Sequence, residues 1–154
     1  MRNIPALVVL VLAASVSAGE LPPSELSVGG VVSGATEASV VGLLGEPLQR
    51  LDTGEGIELQ YPGLAVTVGW LEQRAAGVQR RVLALRGTGP NACTPRGLCP
   101  GMPASEVRRL YGPSVPVQRE SGTYVEYQPA GISCWLQVSA PAGTVEAVAV
   151  ACQP

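Results

Sequence analysis

The sequence predicts an α+β fold of two tandem units, each a short helical segment packed on a three- to four-stranded antiparallel sheet. Three observations lead there. Residues 34–47 and 101–114 superpose without a gap and share Gly34/Gly101, Val40/Val107, Leu43/Leu110 and Gly45/Gly112, which marks an internal repeat. Each copy is followed by segments that alternate apolar and polar residues, as half-buried strands do. Each apolar helical stripe ends on a glycine, where a helix stops in a backbone conformation that other residues avoid.

The elements follow in order. Residues 1–18 read as a secretory signal peptide: Arg2, then an apolar run over 4–14, then Val16 and Ala18 before a cleavage point. The run is too short to span a bilayer. The first cysteine is Cys93, so the expected product is exported, periplasmic or secreted, and not lipid-anchored. Residues 19–27 carry Pro22 and Pro23 and read as a flexible leader. Residues 28–90 form the first unit and 91–154 the second, which holds all four cysteines.

Val40, Leu43 and Leu44 make a stripe at helical spacing, and Val107, Leu110 and Tyr111 repeat it. Pro103 suits a first helical position, and Glu106 suits the positive helix end. Helices this short need a sheet to hold them. Pro62-Gly63 fits a turn that pairs Tyr61 with Leu64, Leu59 with Val66 and Ile57 with Val68. In the second unit, pairing Tyr127 with Ile132 sets Val125 against Cys134 and Tyr124 against Trp135. Segments 81–87 and 145–151 close the two units as strands.

Composition excludes several kinds of chemistry. Histidine and lysine are absent, Asp52 is the sole aspartate, and the formal charge is −2. There is no Ser-His-Asp or Cys-His set, no Schiff-base lysine and no imidazole ligand for a metal. Scattered arginines on an acidic chain make a poor nucleic-acid surface. No cofactor and no metal are expected, nor any membrane segment once the signal is removed.

Cys93, Cys99, Cys134 and Cys152 form an even set in an exported chain, which predicts two disulfides. Three connectivities are open; Cys93–Cys99 with Cys134–Cys152 fits best, because the first pair brackets a tight loop and the second ends successive strands. Zinc or redox roles would want shorter spacings than these.

The candidate partner-binding residues are Tyr124, Glu126, Trp135 and Gln137. The expected register sets Tyr124 beside Trp135 on the face away from the helix, with polar neighbours, and such aromatics anchor protein contacts. Tyr61, Tyr111, Tyr127 and Trp70 read as packing residues. Glu58 and Glu126 could form a carboxylate pair for hydrolysis, although they fall in different units. Arg80-Arg81 and Arg108-Arg109 read as solvated surface.

The stretches LCPGMPASEVRRLYG (98–112) and VSGATEASVVGLLG (32–45) resemble the β-lactamase inhibitory protein and the SmpA/OmlA (BamE-like) lipoprotein domains. The resemblance implies a two-layer fold, export and function through protein binding without catalysis. The lipidation cysteine of the lipoproteins is missing here, as is the inhibitor's distribution of cysteines over both repeats. The expected function is an exported, non-catalytic protein-binding module, inhibitor-like or an envelope accessory factor, with another protein as partner. The alternatives are a purely structural envelope protein and a small carboxylate-dependent hydrolase.

Overall fold

A computed structural model describes residues 21–70 and 77–153. The expected signal peptide lies outside the described residues. A 3-10 turn at Pro23–Glu25 leads into a two-stranded hairpin, β1 (Ser27–Val28) and β2 (Val31–Val32), and then α1 (Glu37–Leu44). Four strands follow: β3 (Gln49–Asp52), β4 (Ile57–Tyr61), β5 (Leu64–Gly69) and β6 (Arg81–Gly87). The chain continues through α2 (Ser105–Tyr111) to β7 (Pro116–Arg119), β8 (Gly122–Tyr127), β9 (Cys134–Ser139) and β10 (Ala147–Cys152).

The expected fold class is overturned at this level. There are not two units each with its own sheet. β3 to β10 form one eight-stranded antiparallel sheet in the order β3-β4-β5-β6-β10-β9-β8-β7. The join is made by β6 and β10, where Val148 faces Gly87 and Val150 faces Leu85. Sequence periodicity reports which face of a strand is buried; it carries no information on whether two closing strands pair with each other.

Pairing across the sheet fixes one apolar row: Leu59, Val66, Leu85, Val150, Leu136 and Tyr127 lie opposite one another in turn on six strands. The five aliphatic members are essentially solvent-free. Val40 of α1 and Val107 of α2 are buried in the same cluster, together with Val28 and Val31 of the hairpin. Both helices and the hairpin therefore cover one face. Gly87 makes this possible at the centre: a Cβ there would meet Ala92 Cβ at 2.4 Å and Val28 Cγ1 at 2.8 Å.

Each helix is tied to the sheet at its last turn. The Tyr61 hydroxyl donates to the Gly45 carbonyl and the Tyr127 hydroxyl to the Gly112 carbonyl, both at 2.9 Å. Gly45 and Gly112 have φ of 82° and 87°, as the helix-stop reading requires. At the other end of α1, the Thr36 hydroxyl caps the helix by accepting from the Ser39 amide. Leu43 departs from its expected place in the core and is 60 % exposed; Val40 and Leu44 alone meet the sheet.

The leader also needs correction. Leu21, Leu26 and Ser27 are buried, and the Glu25 carboxylate accepts from the Tyr111 hydroxyl at 2.8 Å. The same hydroxyl is 2.6 Å from Thr94 Oγ1, and Arg96 lies over the Tyr111 ring and 3.6 Å from Glu25. Burial pushes the Tyr111 phenol far above the usual tyrosine range. Residues 21–27 are thus held to α2 and the 93–99 loop by a buried polar knot, which two prolines and short polar residues do not advertise.

The 62–63 turn is as expected, with Gly63 at φ 69°. It lies so close to the 88–90 segment that a Cβ on Gly63 would stand 2.6 Å from Gly89 Cα, and Thr88 and Gly89 both donate to the Gly63 carbonyl. The preferred cysteine pairing is present: Cys93–Cys99 and Cys134–Cys152 are bonded, the latter directly opposite each other across β9 and β10.

Two outcomes follow for stability. Tyr111→Phe leaves buried Glu25 without its hydroxyl donor, so the protein loses about 1–3 kcal/mol in urea titration, and protease cleavage within 21–27 accelerates. Replacing Cys134 and Cys152 together by alanine lowers stability by about 2–5 kcal/mol, read as a lower thermal midpoint without reductant.

Candidate functional site

The second face of the sheet carries no helix or hairpin among the described residues. One row across it reads Gln49, Gln60, Ala65, Arg86, Ala149, Gln137 and Glu126, on successive strands from β3 to β8. The neighbouring row reads Leu51, Glu58, Thr67, Ala84, Ala151 and Trp135. Its floor is built of small side chains, with larger polar and aromatic ones toward β8 and β9.

Three of the four sequence-predicted site residues converge there. Glu126 faces Gln137 in the ladder, and the Gln137 amide donates to Glu126 Oε1 at 2.7 Å. Arg119, from the edge strand β7, clamps the same carboxylate through Nε to Oε1 at 2.8 Å and Nη2 to Oε2 at 2.6 Å. The Arg119 guanidinium lies 5.8 Å from the Trp135 ring centroid. A shallow cavity of about 330 Å³ opens beside it, lined by Arg119, Trp135 and Gln137 among others. The Glu126 side chain is only 6 % exposed although it sits on the open face; the arginine above it shields it.

Tyr124 does not join this group. It is buried, pairs with Val117 of β7, and its hydroxyl meets the Ser121 hydroxyl at 3.0 Å. The expected β8–β9 register is four residues out: Val125 faces Val138, where Cys134 was expected. Cys134 and Trp135 instead pair with Cys152 and Ala151 on β10. An even shift preserves the face each side chain occupies, so Glu126 and Trp135 keep their side while Tyr124 and Trp135 separate along the strand. Arg119 was missed because β7 is a short, largely exposed edge strand without apolar alternation.

Hydrogen bonding from Arg119 holds the Glu126 carboxyl below the usual glutamate range, against the opposing effect of burial and with help from Gln137. A second such cluster lies on the helix side. Glu37 accepts from both Arg50 and Arg80, Arg80 lies 5.5 Å from the Trp70 ring centroid, and Arg80 is the main cause of a lowered Glu37 pKa. Of the basic pairs read as solvated surface, Arg80 is thus committed to Glu37, Arg81 donates to the Gly34 carbonyl, and Arg109 pairs with Glu106 one helical turn away.

The structure does not assemble the carboxylate pair. Glu58 on β4 and Glu126 on β8 have four strands between them, about 24 Å at about 4.8 Å per strand. Acid and base in a glycosidase-type pair stand about 5–9.5 Å apart. Glu58 accepts from the Gln60 amide, and Glu126 is occupied by Arg119. Among the described residues, no three of His, Cys, Asp and Glu gather as a metal site would require, and no helix is long and apolar enough to cross a membrane.

The chain matches no family model, and none of the curated proteins is significantly similar in sequence. Solved structures do resemble it. A cysteine-rich secretory protein of Staphylococcus aureus superposes with a TM-score of 0.57 over 85 % of this chain, at 11 % identity. A DUF4309-family protein, YjgB, of Bacillus subtilis superposes with a TM-score of 0.53 over 88 % of each chain, at 14 % identity. The likeness is one of fold. The chain spans about half (48 %) of the staphylococcal protein. These neighbours overturn the resemblance to the β-lactamase inhibitory protein and the SmpA/OmlA domains: the short glycine-bounded motif that carried it is a local helix-stop pattern, and the whole fold aligns elsewhere.

A group whose pKa is depressed on folding contributes stability that is present above its unfolded value and lost as pH falls through the folded one. Glu126 is such a group. The stability difference between wild type and Glu126→Gln is therefore largest at neutral pH and shrinks on acidification below about 4, measured as urea midpoints over pH 3–7.

Proposed function

We propose that the chain is an exported, non-catalytic protein-binding module, and that its contact surface is the open sheet face around Trp135. The observation that carries this reading is the network in which Arg119 and Gln137 hold Glu126, with the Arg119 guanidinium 5.8 Å from the Trp135 ring centroid. Arginine and tryptophan dominate the energetics of protein contacts, and side chains already fixed by hydrogen bonds lose little freedom on binding. Among the described residues the sheet is covered on one side, which leaves this face for another molecule.

Two disulfides favour an oxidising compartment, and the staphylococcal neighbour is a secretory protein; both support export to the periplasm or the medium. Among the described residues no set of titratable groups converges in a cleft, and binding accounts for that geometry better than turnover does.

The test is site-specific photo-crosslinking in the exported fraction of the native source. A crosslinking residue at Gln137 yields a discrete protein adduct, one at Leu43 on the helix side does not, and Trp135→Ala abolishes the first with little change in thermal midpoint. Equal labelling from both faces, or none from either, rejects the proposal.

A further inference from the structure

We propose that a second copy of this chain occupies the open face, docked about a two-fold axis that sets Arg86 of each copy against Glu58 of the other. This rests on the reading of that face as a contact surface and names its occupant.

Arg86 stands near the middle of the sheet, exposed, between Ala65 and Ala149 in the ladder. Neither it nor Glu58 forms an ion pair among the described residues: Glu146, off the strands, lines a cavity with Arg86 without bonding to it, and Glu58 takes a single hydrogen bond from Gln60. The remaining charges of this face, Arg119 and Glu126, neutralise each other. Among the described residues, the strands of this face therefore display one cation and one anion that form no ion pair, Arg86 and Glu58. They are two strands apart and one step along the strand, since Arg86 aligns with Ala65 and Gln60 while Glu58 aligns with Thr67 and Ala84. That spacing is about 12 Å between Cα atoms, too far to pair within one copy.

A foreign partner would have to carry both signs at that spacing. A second copy carries them by construction. When two identical faces meet, a two-fold axis lying in the interface along the bisector of the Arg86–Glu58 line maps each residue onto the other, and both charges are satisfied in one isologous contact. An axis through Arg86 itself would oppose like charges and is disfavoured. The side chains between the two charges are Ala65, Thr67 and Ala84, small enough for sheets to approach to the usual distance of about 10 Å, which an arginine and a glutamate together can span. The available area is sufficient. The seven spacings between eight strands, at about 4.8 Å each, by about 20 Å of strand length give a footprint of roughly 670 Å², near the roughly 800 Å² per partner of a stable interface. A formal charge of −2 per chain adds little repulsion.

Sedimentation velocity on the purified, disulfide-bonded protein decides it. Wild type forms a dimer at tens of micromolar; Arg86→Glu and Glu58→Arg each weaken it by at least about tenfold; the double reversal recovers it, because the pair is restored with its signs exchanged. Circular dichroism confirms that each variant is folded, and neutral Arg86→Gln and Glu58→Gln replace any reversal that is not. A wild type that stays monomeric at roughly 100 μM, a dimer indifferent to both single reversals, or a double variant no better than the singles overturns the second-copy assignment. A monomer whose Gln137 crosslinker still captures another protein overturns this inference alone; a monomer that captures nothing ends both.

Discussion

The pairing of β6 with β10 governs the rest of the molecule. Through Val150 opposite Leu85 and Val148 opposite Gly87, it turns two groups of four strands into one sheet and aligns their buried faces. Antiparallel side chains opposite each other share a face, so the apolar row from Leu59 to Tyr127 and the polar row from Gln60 to Glu126 are both consequences of this register. A slip of one residue would turn the β7–β10 group over and send Leu136 and Val138 into solvent. The vacancy left by Gly87 lets Val28 and Ala92 settle over the seam, so the N-terminal hairpin and the 88–93 segment guard the join that makes the sheet continuous.

Much of this was legible in short-range pattern. The 57–61 and 64–69 strands, their turn, their register and the faces of Glu58, Gln60, Ala65 and Thr67 follow from strict alternation about Pro62-Gly63, and the structure agrees. Val40 and Val107 are buried, as a helical stripe demands. The illegible parts depend on partners remote in sequence. The β8–β9 register has a long loop and several apolar candidates for Tyr127; local alternation does not choose among them, and the structure uses Leu136, with Val125 opposite Val138. Edge strands β3 and β7 have no buried face to impose period two. Residues 21–27 are ordered by Tyr111, some eighty positions away.

The candidate site shows the same division. Its face was legible, because an even register error leaves Glu126, Trp135 and Gln137 on the correct side. Its membership was not: Tyr124 leaves the group and Arg119 enters it. The two tryptophans meet similar treatment in different places, each with an arginine near its ring that is anchored by a glutamate. Fixing a guanidinium with a carboxylate limits the entropy lost when the aromatic is covered, and it keeps the anion from facing an incoming surface uncompensated.

The contact between Gly63 and Gly89 has a bearing on engineering. The Pro62-Gly63 turn is short, polar and at the surface, the sort of place where grafted peptides and circular permutants are usually introduced. Here its backbone presses directly on another backbone segment, with no side chain to yield. The tip that looks most permissive is poorly able to accept new residues, whereas a Cβ on Gly131, in the loop between β8 and β9, would meet nothing within 4 Å, which makes that loop the better port of entry.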